Sequence, residues 1–201
     1  MPTTFTAEGS PFTQPRRRAT YADIEALPDH LRGEILDGLL FMSPRPAMRH
    51  VHVGSLLGGL LTTKYTLGMP RPGGWWIEHE PELHLDDSGA QVVIVPDLAG
   101  WRCETMHDLV VTPAVSIVPD WVCEILSPGT AASDRAVKLP LYGRLGVKHL
   151  WIVDPIERSL EVYENESGWR VAGTFAAARD ATVCAAPFTE TELPFSQLFV
   201  A

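Results

Sequence analysis

The chain has 201 residues, of which 45% are hydrophobic and 20% charged, with a formal net charge of −9. That is enough length and apolar content for one soluble domain with its own core. The acidity counts against tight, independent binding to duplex DNA, and no apolar run reaches the length of a transmembrane helix.

Residues 1–19 are polar, with Pro, Gly and no periodicity, and read as a flexible N-terminal arm. They hold no apolar stretch of secretory-signal type, and the triplet Arg16–Arg18 reads as a solvated basic arm or a phosphate contact. Thr20 with Asp23 resembles a capping box and predicts a short helix over Tyr21 to Leu27, ended by Pro28. Leu31 to Met42 predicts a hairpin, because Asp37-Gly38 is a strong two-residue turn signal between apolar arms. Glu34 lies on its first arm. From Ala47 to Leu67 the apolar residues Val53, Leu56, Leu57, Leu60 and Leu61 recur at helical spacing. Gly54, Gly58 and Gly59 weaken that helix but admit a close neighbouring backbone. His50 sits near its start, where a lone histidine is more often a core or capping residue than a ligand.

Pro70 to Gly74 predicts a loop. Trp75 to Leu85 then alternates as one strand, on which Glu80 or Glu82 faces the same cleft as Asp97. The next strand is read over Val92 to Trp101, carrying Pro96-Asp97. Arg102 to Val118 shows little periodicity. Trp121 to Leu126 is a strand that places Val122, Glu124 and Leu126 on one face. A glutamate in such a strand is costly to bury unless something binds it. Ser127-Pro128-Gly129 stops the strand, and Ser133 predicts the cap of a helix from about Asp134 that carries Lys138. Tyr142, at i+4, shares the face of Lys138. Pro140 predicts a kink and Gly146 the end of that helix. A buried strand at His149 to Val153 follows, then a hairpin around Asn165 to Gly168, a short strand near Ala181 to Cys184, and a terminal helix at Phe195 to Val200.

Cys103, Cys123 and Cys184 are odd in number and contain no Cys-x-x-Cys pair, which argues against a disulfide framework or a Cys-rich zinc site. A reducing cytosol is the natural setting, so a cytoplasmic location is expected.

Asp97 and Glu124 on neighbouring strands offer hard oxygen ligands of the kind that suit Mg²⁺ or Mn²⁺. A lysine beside them orients or helps deprotonate a water and offsets charge on a phosphate. Spacing alone favours the ordinary reading, in which Asp97 caps a turn and Glu124 pairs with Lys138 or an arginine without any catalysis.

The ordered motifs Pro96-Asp97, PDWVCEILSPGT (Pro119 to Thr130), Asp134…Lys138…Tyr142 and GVKHLWIVDP (Gly146 to Pro155) resemble the Uma-type restriction endonuclease family of the PD-(D/E)XK superfamily. Upstream, GEILDG, MSPRP and His50 are similar in kind and order. The resemblance spans Thr20 to Phe199. It implies a restriction-endonuclease-like core and a Mg²⁺- or Mn²⁺-dependent endonuclease acting on nucleic acid, with DNA as the expected substrate, as a homodimer in which aromatics such as Trp75 and Trp76 pair across the axis. It implies that Asp97, Glu124 and the backbone carbonyl of Ile125 hold the metal, that Glu34 is an additional acid, and that His50, Glu82 and Tyr142 lie near the site. Leu126 stands where the superfamily lysine normally sits, so that role passes to Lys138.

The element order predicts an α/β (α+β) domain over residues 20–201, with a mixed central sheet flanked by helices. Two other functional readings stay open: an inactive binding or regulatory protein on the same fold, and a metal-dependent hydrolase of a small phosphorylated substrate.

Overall fold

The computed structural model describes residues 18–69 and 73–199. Most of the N-terminal arm, three residues of the 70–74 loop and Val200 of the predicted terminal helix lie outside the described residues.

The backbone N–H of Thr20 donates to the Asp23 carboxylate at 2.8 Å and starts helix α1 (Tyr21–Glu25). Strands β1 (Leu31–Leu36) and β2 (Leu39–Pro44) form the expected hairpin. Asp37 and Gly38 both take positive φ, 52° and 74°, as a two-residue turn between right-twisted strands requires. Helix α2 (Met48–Leu61) runs on through a π turn at Thr62–Thr66 and buries Val53, Leu57 and Leu61. Gly58 sits where it does for want of space: a Cβ there would fall 2.0 Å from the His79 ring.

The two long strands expected over Trp75–Leu85 and Val92–Trp101 are each broken in two. The chain forms β3 (Trp75–His79), β4 (Glu82–Asp87), β5 (Ala90–Ile94) and β6 (Leu98–Arg102). Both breaks fall at prolines, Pro81 and Pro96, which have no N–H to give a ladder. The result is one long bent hairpin shared between two sheets, β4 with β5 in one and β3 with β6 in the other. Strands that switch sheets make such corners. Glu80 N–H to the Asp97 carbonyl, 3.1 Å, ties the two bends together.

The smaller sheet is ordered β2-β1-β5-β4-β7, with the short β7 (Ala114–Val115) parallel to β4. The larger runs β11 (Trp169–Ala176), β10 (Ser159–Asn165), β9 (His149–Asp154), β8 (Trp121–Ile125), β6 and β3. Its strands β8 (Trp121–Ile125) and β9 (His149–Asp154) are parallel. They are joined through α3 (Ala131–Ser133), a π turn at Asp134–Lys138 and α4 (Leu139–Leu145). Here the structure corrects two local readings. The helix begins after Thr130, and the Ser133 hydroxyl donates back to the Thr130 carbonyl instead of capping. Pro140 widens the preceding turn to π geometry, since it brings no N–H for the carbonyl four residues back. Strands β10 (Ser159–Asn165) and β11 (Trp169–Ala176) form the second hairpin. The strand expected near Ala181 is a single bridge, Val183 to Leu193, and a 3₁₀ turn at Phe195–Leu198 follows it.

The larger sheet is covered on both faces. One face packs on α2 and the C-terminal segment, with Trp75, Trp121 and Trp151 around Phe188 at ring separations of 5.0–5.6 Å. The other packs on the smaller sheet and α4. Trp75 is therefore spent in the core and not available to pair across a dimer axis, while the indole N–H of half-buried Trp76 donates to the Met106 carbonyl. Phe188 is fully buried. Its replacement by Ala is expected to cost about 3–5 kcal/mol in urea unfolding. A loss below about 1 kcal/mol would refute the packing assigned to it.

Candidate active site

The cleft forms where the bent hairpin leaves the larger sheet. Register places Leu98 opposite Cys123 in β6 and β8, so Asp97, one residue before the strand, lies beside Glu124. The side chain of Asp97 turns to the strand end, where its Oδ2 accepts the Ile125 N–H at 2.6 Å and contacts His50 Nε2 at 3.2 Å. The Ile125 carbonyl also faces the His50 ring. Burial alone would lower the His50 pKa, but Asp97, the Glu80 charge and the Ile125 carbonyl hold it above its ordinary value.

Glu124 is buried on the other side of Asp97. It accepts from the Tyr142 hydroxyl at 2.6 Å and from Lys138 Nζ at 3.3 Å. Lys138 Nζ is also 3.0 Å from Glu34 and 3.8 Å from Asp134, with only 8% of its side chain exposed. Glu34 anchors itself by accepting the Val95 N–H at 2.9 Å. One ammonium thus faces three carboxylates, with Asp97 a fourth nearby. Burial drives the Glu124 pKa well up; Lys138 offsets part of this, and Asp134, Asp97 and Glu34 add to it. Burial pulls Lys138 down, but the surrounding acids more than reverse it, so the ammonium is held above its ordinary pKa. The first causes differ: burial raises Glu124, whereas the surrounding carboxylates raise Lys138 against the effect of burial.

The cleft holds about 70 Å³ and is lined by Glu34, Asp97, Glu124, Asp134 and Lys138, among others. A second depression of about 290 Å³ continues past Asp97 and His50 to Arg32 and Glu80. Arg32 is the arginine that lines both depressions.

The structure brings Asp97, Glu124, Ile125, Lys138, Glu34, His50 and Tyr142 together. It does not bring Glu82. Register pairs both Ile35 and His84 with Val93, so His84 and Glu82 face away from Glu34, on the outer side of the smaller sheet. There Glu82 accepts from Tyr21 at 3.0 Å and contacts His84 at 2.7 Å. Glu80, the other acid of that segment, reaches the cleft instead. Asp134 joins the site as well, and the i,i+4 spacing to Lys138 is its signal in the sequence. Cys123 is buried and its thiol pKa is raised by that burial, so it is no nucleophile.

The donor set suits a hard divalent ion: carboxylate oxygens with surplus negative charge and a backbone carbonyl beside them. Among the described residues no three His, Cys, Asp or Glu side chains are drawn around a common point for an ion. The carboxylates are instead gathered around the Lys138 ammonium.

A mixed sheet with an acid at a strand break, a second acid in the next strand and a lysine on the crossover helix defines a restriction-endonuclease-like nuclease fold. The chain belongs to the Uma2 family, described as "Putative restriction endonuclease", which it matches over residues 19–193. It is also similar to the crystal structure of "a putative nuclease belonging to DUF820" from Anabaena variabilis ATCC 29413, at 20% identity and a TM-score of 0.70, over 90% of this chain and 97% of that one. That likeness carries the fold. No curated protein matches.

Proposed function

We propose that the protein is a divalent-metal-dependent endonuclease that hydrolyses phosphodiester bonds in DNA. The observation that carries this reading is the buried Lys138 ammonium within 3.0–3.8 Å of Glu34, Glu124 and Asp134, in a cleft that Arg32 also lines. Asp97, Glu124 and the Ile125 carbonyl would hold Mg²⁺ or Mn²⁺. The ion, when bound, supplies an acidic water and polarises a phosphoryl oxygen. The Tyr142 hydroxyl fixes one Glu124 oxygen. Lys138 keeps its proton at neutral pH, because its pKa is raised. It therefore acts by donating hydrogen bonds to the attacking water and to developing phosphate charge, and not as a base. Glu34 holds that ammonium in place and carries no metal in this reading.

The test is cleavage of plasmid and single-stranded DNA with Mg²⁺ or Mn²⁺, run beside Asp97→Ala and Lys138→Ala. Loss in both variants is expected; cleavage that persists unchanged in both belongs to a contaminant or another site.

The inactive reading is favoured by one observation, that Lys138 already satisfies Glu34 and Glu124 as a closed ion-pair cluster. Calorimetric titration with Mn²⁺ separates the two. Heat of binding that disappears in Asp97→Ala supports the enzyme; a flat titration of the wild type supports the binding or regulatory protein. Assembly as a homodimer in the cytosol belongs to the same proposal, and a monomer mass by light scattering at micromolar concentration removes it.

A further inference from the structure

We propose that Arg32 is the clamp for a substrate phosphodiester and that Glu80 holds it beforehand as an internal competitor. The inference rests on the nuclease reading and names how that same cleft takes its substrate. A phosphodiester entering a carboxylate-rich cleft needs a cation that faces outward. Lys138 is enclosed by its three carboxylates, and His50 is held against Asp97 with 11% of its side chain exposed. Arg32 lines both depressions, on either side of Asp97, and 38% of its side chain is exposed. Its guanidinium forks onto Glu80, Nη1 to Oε1 at 2.5 Å and Nη2 to Oε2 at 3.0 Å. Arginine binds phosphate oxygens through the same two-pronged geometry, so the carboxylate occupies the place a phosphate would take.

The competitor is built in. Glu80 has φ of 45°, the left-handed region that a side chain with Cβ rarely adopts. The corner before Pro81 and the bond from Glu80 N–H to the Asp97 carbonyl keep it there. This backbone link also fixes the clamp beside the acid that heads the proposed metal site. The pair is open to solvent, and a phosphodiester that takes the same two-pronged geometry replaces the bonds to Glu80 with equivalent ones.

The clamp predicts opposite effects from its two halves. Glu80→Gln frees the arginine and tightens binding of a labelled oligonucleotide in EDTA, while Arg32→Gln weakens it, each by about tenfold, or 1.4 kcal/mol. Titration with inorganic phosphate, followed by NMR at the Arg32 Nε–H (the resonance lost in Arg32→Gln), should move that signal at lower concentration in Glu80→Gln than in wild type. If both variants weaken oligonucleotide binding, or phosphate leaves the Arg32 signal unmoved in Glu80→Gln, the pair is a staple of the fold and the clamp is overturned, even if DNA is still cleaved. If phosphate engages Arg32 while no DNA is cut in Mg²⁺ or Mn²⁺, the clamp stands and the nuclease reading falls.

Discussion

Lys138→Met is expected to abolish cleavage and to weaken the fold more than any other single change in the cleft. Removing an electrostatic donor of this kind lowers turnover about a hundredfold or more. The structural loss follows from burial. Without the ammonium, Glu124 and Asp134, 4% and 3% exposed, face each other and Glu34 with no counter-charge. Breaking a buried ion pair from one side costs about 3–5 kcal/mol. The acids respond by taking up protons, so the deficit against wild type should be small at pH 5 and large at pH 8. Mn²⁺ should return part of it, because a cation that binds only the folded state stabilises by mass action. Thermal unfolding at both pH values, with and without Mn²⁺, checks all three points. A melting temperature equal to wild type at pH 8 would show that the ammonium does not neutralise these acids.

The cleft was readable in the sequence to the extent that it is made of local signals. Asp37-Gly38 announces its hairpin because type I′ geometry demands such residues. Glu124 stands out as an acid in an apolar strand, and the structure buries all of Trp121–Ile125. Lys138 and Tyr142 share a face through simple helical spacing. What alternation cannot carry is the identity of the sheet. Glu80 and Glu82 have the same parity in a flat strand, so either fitted the cleft. The positive φ at Glu80 and the ladder break at Pro81 put them in different surroundings, one on Arg32 and the other under Tyr21. The same limit hid the division of each long strand, since apolar alternation runs on through Pro81 and Pro96. Trp75 shows a related limit: placed at a dimer axis by the family resemblance, it fills the aromatic cluster around Phe188 instead.

Glu124→Gln should separate chemistry from stability. Cleavage is expected to fall by about a hundredfold or more, as for any group that anchors charge in the transition state, and the calorimetric Mn²⁺ signal should vanish with it. The fold, however, should survive and gain at alkaline pH. In the unfolded chain the Glu124 carboxyl ionises near 4.5, whereas in the folded protein burial delays its ionisation to well above that. Between those two points the folded state holds the extra proton, so wild-type stability falls as pH rises from about 5. Each unit of that upward shift costs about 1.4 kcal/mol once both states are ionised. Glutamine has no such cost. Its carbonyl still accepts from the Tyr142 hydroxyl, and Lys138 keeps Glu34 and Asp134 as partners. Denaturant curves of the two proteins should therefore converge near pH 5 and separate toward pH 8, with the variant above. Parallel curves across that range would mean that Glu124 is not buried among like charges. A variant less stable at every pH would mean that the ion pair with Lys138 outweighs the desolvation of the carboxylate.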